Sequence, residues 1–143
     1  MLPSNASADD PERGSATIEF LVAGILLLVP IVYLVIALGM VQNASLGAEA
    51  TARFVARSLA TGSEVPPDVI RELVASGYGL DPAALHLRAE CHPATDECPA
   101  AGSTIVVTVE GAVALPLMPE IFAENLSVPV TGTATYRVER LAR

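Results

Sequence analysis

Glu12-Arg13-Gly14-Ser15-Ala16-Thr17-Ile18-Glu19-Phe20 opens a run, Phe20 to Val41, that contains no charged residue. At about 1.5 Å per residue such a run makes a helix of roughly 33 Å, enough to cross a hydrocarbon core of about 30 Å. The residues ahead of it are polar, with Asp9, Asp10 and Glu12 against Arg13. A secretory signal would instead carry a basic start, a core of about 7 to 15 apolar residues and a small-residue cleavage site behind that core. The stretch therefore predicts a single membrane-spanning helix preceded by a short charged leader.

Glu19 stands one residue before the apolar core, where an unpaired carboxylate becomes costly as it moves into lipid. Two readings of it are open. Glu19 can lie in the hydrated headgroup zone. If the chain were cut after Gly14, the new ammonium on Ser15 would instead lie one helical turn away, and the carboxylate would have a cation available, its own or a neighbour's.

The string Gly14-Ser-Ala-Thr-Ile-Glu19-Phe20, behind a charged leader and ahead of an unbroken apolar helix, resembles the processing signal of type IV pilins and pseudopilins. It is most similar to the TadE-like pseudopilins of the Tad (Flp) pilus system. The resemblance implies that a prepilin peptidase cuts after Gly14, that Ser15 becomes the mature N-terminus, and that Glu19 is required for processing or assembly. Phe20 matches the large residue that follows this glutamate. Ser15 departs from the Phe or Met that usually begins classical pilins, which favours the Tad branch. The hundred or so residues after the helix fit a minor subunit better than a major Flp pilin. The implied partners are other pilins and pseudopilins, the prepilin peptidase and the pilus assembly platform, with the lipid bilayer around Phe20–Val41. The resemblance also implies an N-terminus in the cytoplasm and a head outside the inner membrane, carried into an extracellular pilus after assembly. An unprocessed, single-pass binding or accessory protein of the cell envelope is the alternative, since any anchored protein could carry Phe20–Val41.

Beyond the bilayer the helix is expected to continue to about Ala60, starting from about Ser15 and interrupted or bent near Pro30, whose ring removes an intrahelical hydrogen bond. Glu49, Arg53 and Arg57 recur every four residues on a strip that can face water. Ala44, Ala48, Ala52, Ala56 and Ala60 have the same spacing and form a smooth ridge, read as a surface for a partner helix. The competing reading is that alanine is simply a good helix former. Thr61-Gly62-Ser63 and Pro66-Pro67 supply a stop.

The remainder, residues 62–143 after a leader of 1–14 and a helix of 15–61, reads as a small exported α+β head. A short helix places Val69, Ile70, Leu73 and Val74 on one face and ends at Gly77. The period then changes to two. Leu85, Leu87, Ala89 and Cys91 form a half-buried strand, and Ile105, Val107 and Val109 a second that runs toward Leu115. Val128, Val130, Ala134, Tyr136 and Val138 form a third, with Pro129 marking a late start or an edge. Pro119–Glu124 is read as a turn of helix between the last two. The fold class is thus α+β, a long N-terminal transmembrane helix continuing into a small domain with a three-stranded antiparallel sheet.

Cys91 and Cys98 are the only cysteines. A bridge between them would staple a head close to the lower size limit for a self-sufficient core, and would need an oxidising compartment. The competing reading is a metal held by Cys91, His92 and Cys98 with His86 or Asp96, although the spacing matches no zinc motif and His86 falls on the solvent side of its strand. Sixteen acidic residues against eight arginines, a net charge of -8 and no lysine argue against nucleic acid as a partner. Arg13 on one side of the span and Arg53 and Arg57 on the other leave orientation undecided by charge. There is no G-x-S-x-G, phosphate loop or H-E-x-x-H. The expectation is a structural protein without catalytic residues, cofactor or metal.

Overall fold

The computed structural model describes residues 12–94, 98–116 and 127–139, with side chains from residue 16 onward. Helix α1 spans Glu12–Ala60 and is followed by α2 (Pro67–Gly77), a single 3-10 turn (Pro82–Ala84), and strands β1 (His86–His92), β2 (Thr104–Ala114) and β3 (Ser127–Arg137). The chain divides into two compact units, one ending at Ile36 and the other beginning at Ala37. The turn of helix expected over 119–124 lies outside the described residues.

In the first unit α1 starts three residues earlier than expected, at Glu12 instead of Ser15, and it is not interrupted at Pro30. Proline's fixed φ is compatible with helix and only one N–H is missing, so the helix runs through Pro30 without a break. In an apolar solvent this is the only open-ended way for a single segment to satisfy its peptide groups. Large apolar side chains point outward all round the helix: Leu21, Leu26, Leu28 and Val35 are each more than half exposed. The most apolar eighteen-residue stretch has a mean hydropathy of 3.0 and no burial, making α1 long and apolar enough to cross a membrane.

In the second unit the same helix changes code. Ala44, Ala48, Ala52 and Ala56 are at most 1% exposed. Ala48, Ala52 and Ala56 pack with Val55 against Ile105, Val107, Val109 and Ala134, and Ala44 with Val113 and Val130. Ala60 is half-buried at the edge of the larger cluster. The ridge read as a surface for a partner helix is therefore consumed inside the protein, by its own sheet. Each valine or isoleucine buried there stabilises the fold by roughly 1.5–3 kcal/mol.

The sheet is antiparallel in the order β1-β2-β3. Register pairs Cys91 with Ile105 across β1 and β2, and Val107 with Ala134 across β2 and β3. In the central strand, Ile105, Val107 and Val109 face α1, as the alternation predicted, and Val113 continues that face. β3 starts at Ser127, ahead of Pro129, which pairs with Ala112. Of the two readings of Pro129 the edge position is the one found, and a ring without an N–H is tolerated there. Tyr136 is 43% exposed instead of buried. β1 begins one residue later than expected, with Leu85 closing the 3-10 turn and filling the space that the missing side chain of Gly111 leaves. Ala89 is exposed, since a methyl group on an edge strand does not reach the core.

Helix α2 also differs in facing. Val69 and Leu73 point outward, at 51% and 76% exposure, and the inner face is Ile70, Arg71, Val74 and the buried Ala75. Arg71 occupies the inner stripe because its Nη1 donates to the carbonyl of Leu85 at 3.1 Å, while Nη2 lies 3.1 Å from Asp68. Both helices stop in the same way. Gly62 takes φ +67° after α1, the Ser63 N–H bonding back to Ser58 and the Gly62 N–H to Leu59. Gly79, not Gly77, plays that part after α2, with φ +66° and the Leu80 N–H bonding to Ala75. This is the paired closure that only a residue free to adopt positive φ provides cheaply.

Gly132 sets the distance between helix and sheet. A Cβ added to it would fall on the backbone of Ala48 and Glu49. Because that obstacle is main chain, Gly132→Ala is expected to cost about 2–4 kcal/mol. Gly77→Ala, where nothing lies within 4 Å, should instead leave stability unchanged or raise it by up to about 1 kcal/mol. The urea midpoint of the sheet signal, measured on the full chain in micelles, checks both.

Candidate functional site

The N-terminal motif sits on the first turns of α1. The backbone of Gly14 and Ser15 is helical, so the Gly14–Ser15 peptide and Glu19 are on one continuous helix. Positions 15 and 19 lie a turn apart, about 6 Å along the axis. Glu19 is exposed and flanked by Ile18 and Phe20, 65% and 77% exposed. A carboxylate thus opens a helix surface that is otherwise apolar on every side. Gly14 weakens the helix locally by about 1 kcal/mol relative to alanine, which lowers the cost of unwinding the peptide bond that follows it.

On the C-terminal half of α1, Glu49 and Arg53 form the expected i,i+4 pair, with Arg53 Nη2 donating to Glu49 Oε2 at 3.0 Å. Both are well exposed, so the pair contributes only about 0.3–0.5 kcal/mol. Its role is to keep this strip of the helix solvated, on a different side from the buried alanines. Asn43 ties the helix to the turn after α2, donating to the Tyr78 carbonyl at 2.7 Å. Thr51, fully buried, satisfies its hydroxyl by donating to the Gly47 carbonyl at 2.8 Å.

Cys91 and Cys98 are joined in a disulfide with Cα atoms 5.9 Å apart. Cys91 is buried at the end of β1 and belongs to the larger core cluster. The bridge ties the start of the β1–β2 connection into the core. Both sulfur atoms are committed to it, so neither is available as a thiolate ligand, and the metal reading of Cys91, His92 and Cys98 does not apply to this state. Asp96 lies outside the described residues. Among the described residues no group of three His, Cys, Asp or Glu side chains is arranged to hold a metal ion.

The two sets of candidate residues fall in different compact units. Gly14, Ser15, Glu19 and Phe20 belong to the first unit, and Cys91, Cys98 and the alanine ridge to the second. Sequence reasoning missed Gly132 and Arg71. The first carried a signal, since an isolated glycine in a run of alternating threonines marks a close approach of another backbone. The second carried none, because an arginine at a helical position ordinarily faces water.

No protein family, curated protein or solved structure matches this chain.

The eight-residue ring closed by Cys91–Cys98 should stabilise the head by about 2.5 kcal/mol in the chain-entropy description. The double variant Cys91→Ala/Cys98→Ala is expected to lower the urea midpoint of the sheet by that free energy. The unreduced, denatured parent should show no thiol reactive toward a thiol reagent.

Proposed function

We propose that this chain is a pilin-like minor subunit, similar to the TadE-like pseudopilins. In this reading it is made as a membrane-anchored precursor, cut between Gly14 and Ser15, and used in the assembly of a thin Tad/Flp-type pilus, in adhesion or in secretion. The observation that carries the reading is Glu19, a carboxylate one helical turn past Gly14–Ser15, at the head of an apolar helix that continues without a break toward a folded domain. A charge at the centre of a bilayer costs about 2.5–3.5 kcal/mol on insertion scales. A helix carrying one so close to its apolar core gains when a cation from a neighbour meets it. The Ser15 ammonium of an adjacent subunit would be that cation, and the outward apolar side chains of α1 would be covered by other helices of the bundle. The disulfide suits a head exported from the cytoplasm, with the N-terminus on the inner side. The partners in this reading are other pilins and pseudopilins, the prepilin peptidase and the assembly platform.

A second reading, an envelope protein that keeps its leader and stays in the bilayer, is favoured by one observation. The Gly14–Ser15 peptide is helical, and a peptidase needs it extended. The two are separated by the N-terminal sequence and intact mass of the protein taken from its native membrane, with and without an active prepilin peptidase. The expected result is a start at Ser15 that depends on the peptidase, and loss of processing or of pilus incorporation in Glu19→Ala. A chain that retains residues before Gly14 in the presence of active peptidase establishes the second reading.

A further inference from the structure

We propose that the open edge of β3, together with the neighbouring face of α1, receives an extended acidic segment of another polypeptide as a fourth strand. β3 is the last strand of the sheet. Among the described residues its backbone pairs only toward β2 and, at Val138, with Gly102 and Ser103. The outer N–H and C=O groups from Val130 to Arg137 therefore offer a row of donors and acceptors. Pro129, the one residue of β3 unable to donate, lies outside that row.

The place beside this edge already has a floor. The sheet covers the alanine ridge of α1; the neighbouring ridge on the β3 side is Glu49–Arg53–Arg57, Glu49 lying beside Gly132, and Leu46, Ala50 and Phe54 follow beyond it round the helix. Between this side of the helix and Thr133–Tyr136, with Tyr78 also in its lining, runs a groove of about 730 Å³. Leu46 and Phe54 are 58% and 56% exposed and Tyr136 43% exposed. Leu46 to Arg57 spans about 17 Å of helix, the length of about five extended residues. A strand set at the usual ~4.8 Å from β3 would run beside the Glu49–Arg53–Arg57 ridge, with alternate side chains toward the helix and over Tyr136.

Charge selects the occupant. Arg53 and Arg57 line the groove, and Arg57 shares an adjoining hollow with Arg137 and Glu139. Three of the eight arginines of a chain with sixteen acidic residues thus gather at one end of one edge. Among the described residues Arg57 and Arg137 make no ion pair, and Arg53 meets only Glu49. Carboxylates on the incoming segment complete that end.

A second copy of this chain fits less well. α1 runs in the same direction as β3, since Ala44 packs with Val130, Ala48 meets Gly132 and Arg57 adjoins Arg137. Antiparallel pairing of two β3 edges would point two copies of α1 in opposite directions, which one bilayer does not accommodate. Parallel pairing would set Arg57 and Arg137 against their own copies. The choice of a foreign strand rests on the membrane-spanning reading of α1 and is independent of processing at Gly14.

The test uses the full chain in lipid nanodiscs. The probe is a fluorescent, end-blocked octapeptide alternating valine and glutamate, compared with its valine–lysine counterpart and with two forms N-methylated at alternate residues. The glutamate peptide is expected to bind about tenfold more tightly than the lysine peptide, to weaken with salt, to slow amide exchange in β3, and to lose binding in one of its two N-methylated forms. The exposed pair Arg57→Glu/Arg137→Glu should reverse the preference while the parent's circular dichroism and Cys91–Cys98 bridge are retained. Equal binding of both charge types, full binding of both N-methylated forms, or a self-dimer that excludes the peptide and survives the charge reversal would each overturn the proposal.

Discussion

The contact on which the head depends is the close approach of α1 to β3, where the missing side chain of Gly132 lets the sheet rest on the backbone of Ala48 and Glu49. Small residues on both sides make this possible: methyl groups on the helix at every fourth position, and a bare Cα on the strand. Once the two surfaces are that close, the larger side chains between them have defined places. Ile105, Val107 and Val109 close over Ala52, Val55 and Ala56, and no exposure remains at any of them. A wider separation would leave the same valines facing a gap, and interiors hold together only at close packing. The helix thereby supplies Ala44, Ala48, Ala52, Val55 and Ala56 to the core, and the disulfide at the far end of β1 fastens the loop that follows that strand.

One helix meets two demands with two sequence codes. From Ala16 to Ile36 its apolar side chains point in all directions, which suits a surrounding apolar solvent or a bundle of similar helices. From Ala44 onward it is amphipathic, with small apolar residues inward and Glu49, Arg53 and Arg57 outward. Glu19 marks the start of the first code, beside exposed Ile18 and Phe20; in the proposed reading a cation from a neighbouring subunit would compensate it there.

A helix presents several ridges, and a sheet of three strands covers one of them. α2 and the 3-10 turn lie toward the β1 side, where Arg71 reaches the Leu85 carbonyl. At the β3 side Glu49, Arg53 and Arg57 follow the alanine ridge round the helix, and Leu46 and Phe54 beyond them stay more than half exposed. The asymmetry comes from strand count: β3 is the last strand of the sheet, and the chain places Arg53 and Arg57 along the helix beside it.

Much of this was legible in the residues. The apolar run, the change of period from 3.6 to 2, the stops at Gly62 and near Gly77, and the pairing partners Cys91 and Cys98 are local signals, and local signals survive without knowledge of what packs on what. The direction in which a stripe faces is not local. The alanine ridge has the same spacing whether it meets a partner helix or the protein's own sheet, and only the fold, by bringing Gly132 over Ala48, decides for the sheet. Val69 and Leu73 share a pattern with Ile70 and Val74, and the choice between them was made by Arg71 finding a carbonyl fourteen residues away. Tyr136 continues the alternation of β3 and is still exposed, because at that edge the sheet ends. The sequence by itself determined a long apolar helix, a strand-rich head and a cysteine pair, since periodicity and composition are properties of neighbouring residues. Tertiary structure alone decided which faces are consumed in the core and which stay open, because burial depends on residues distant in the chain.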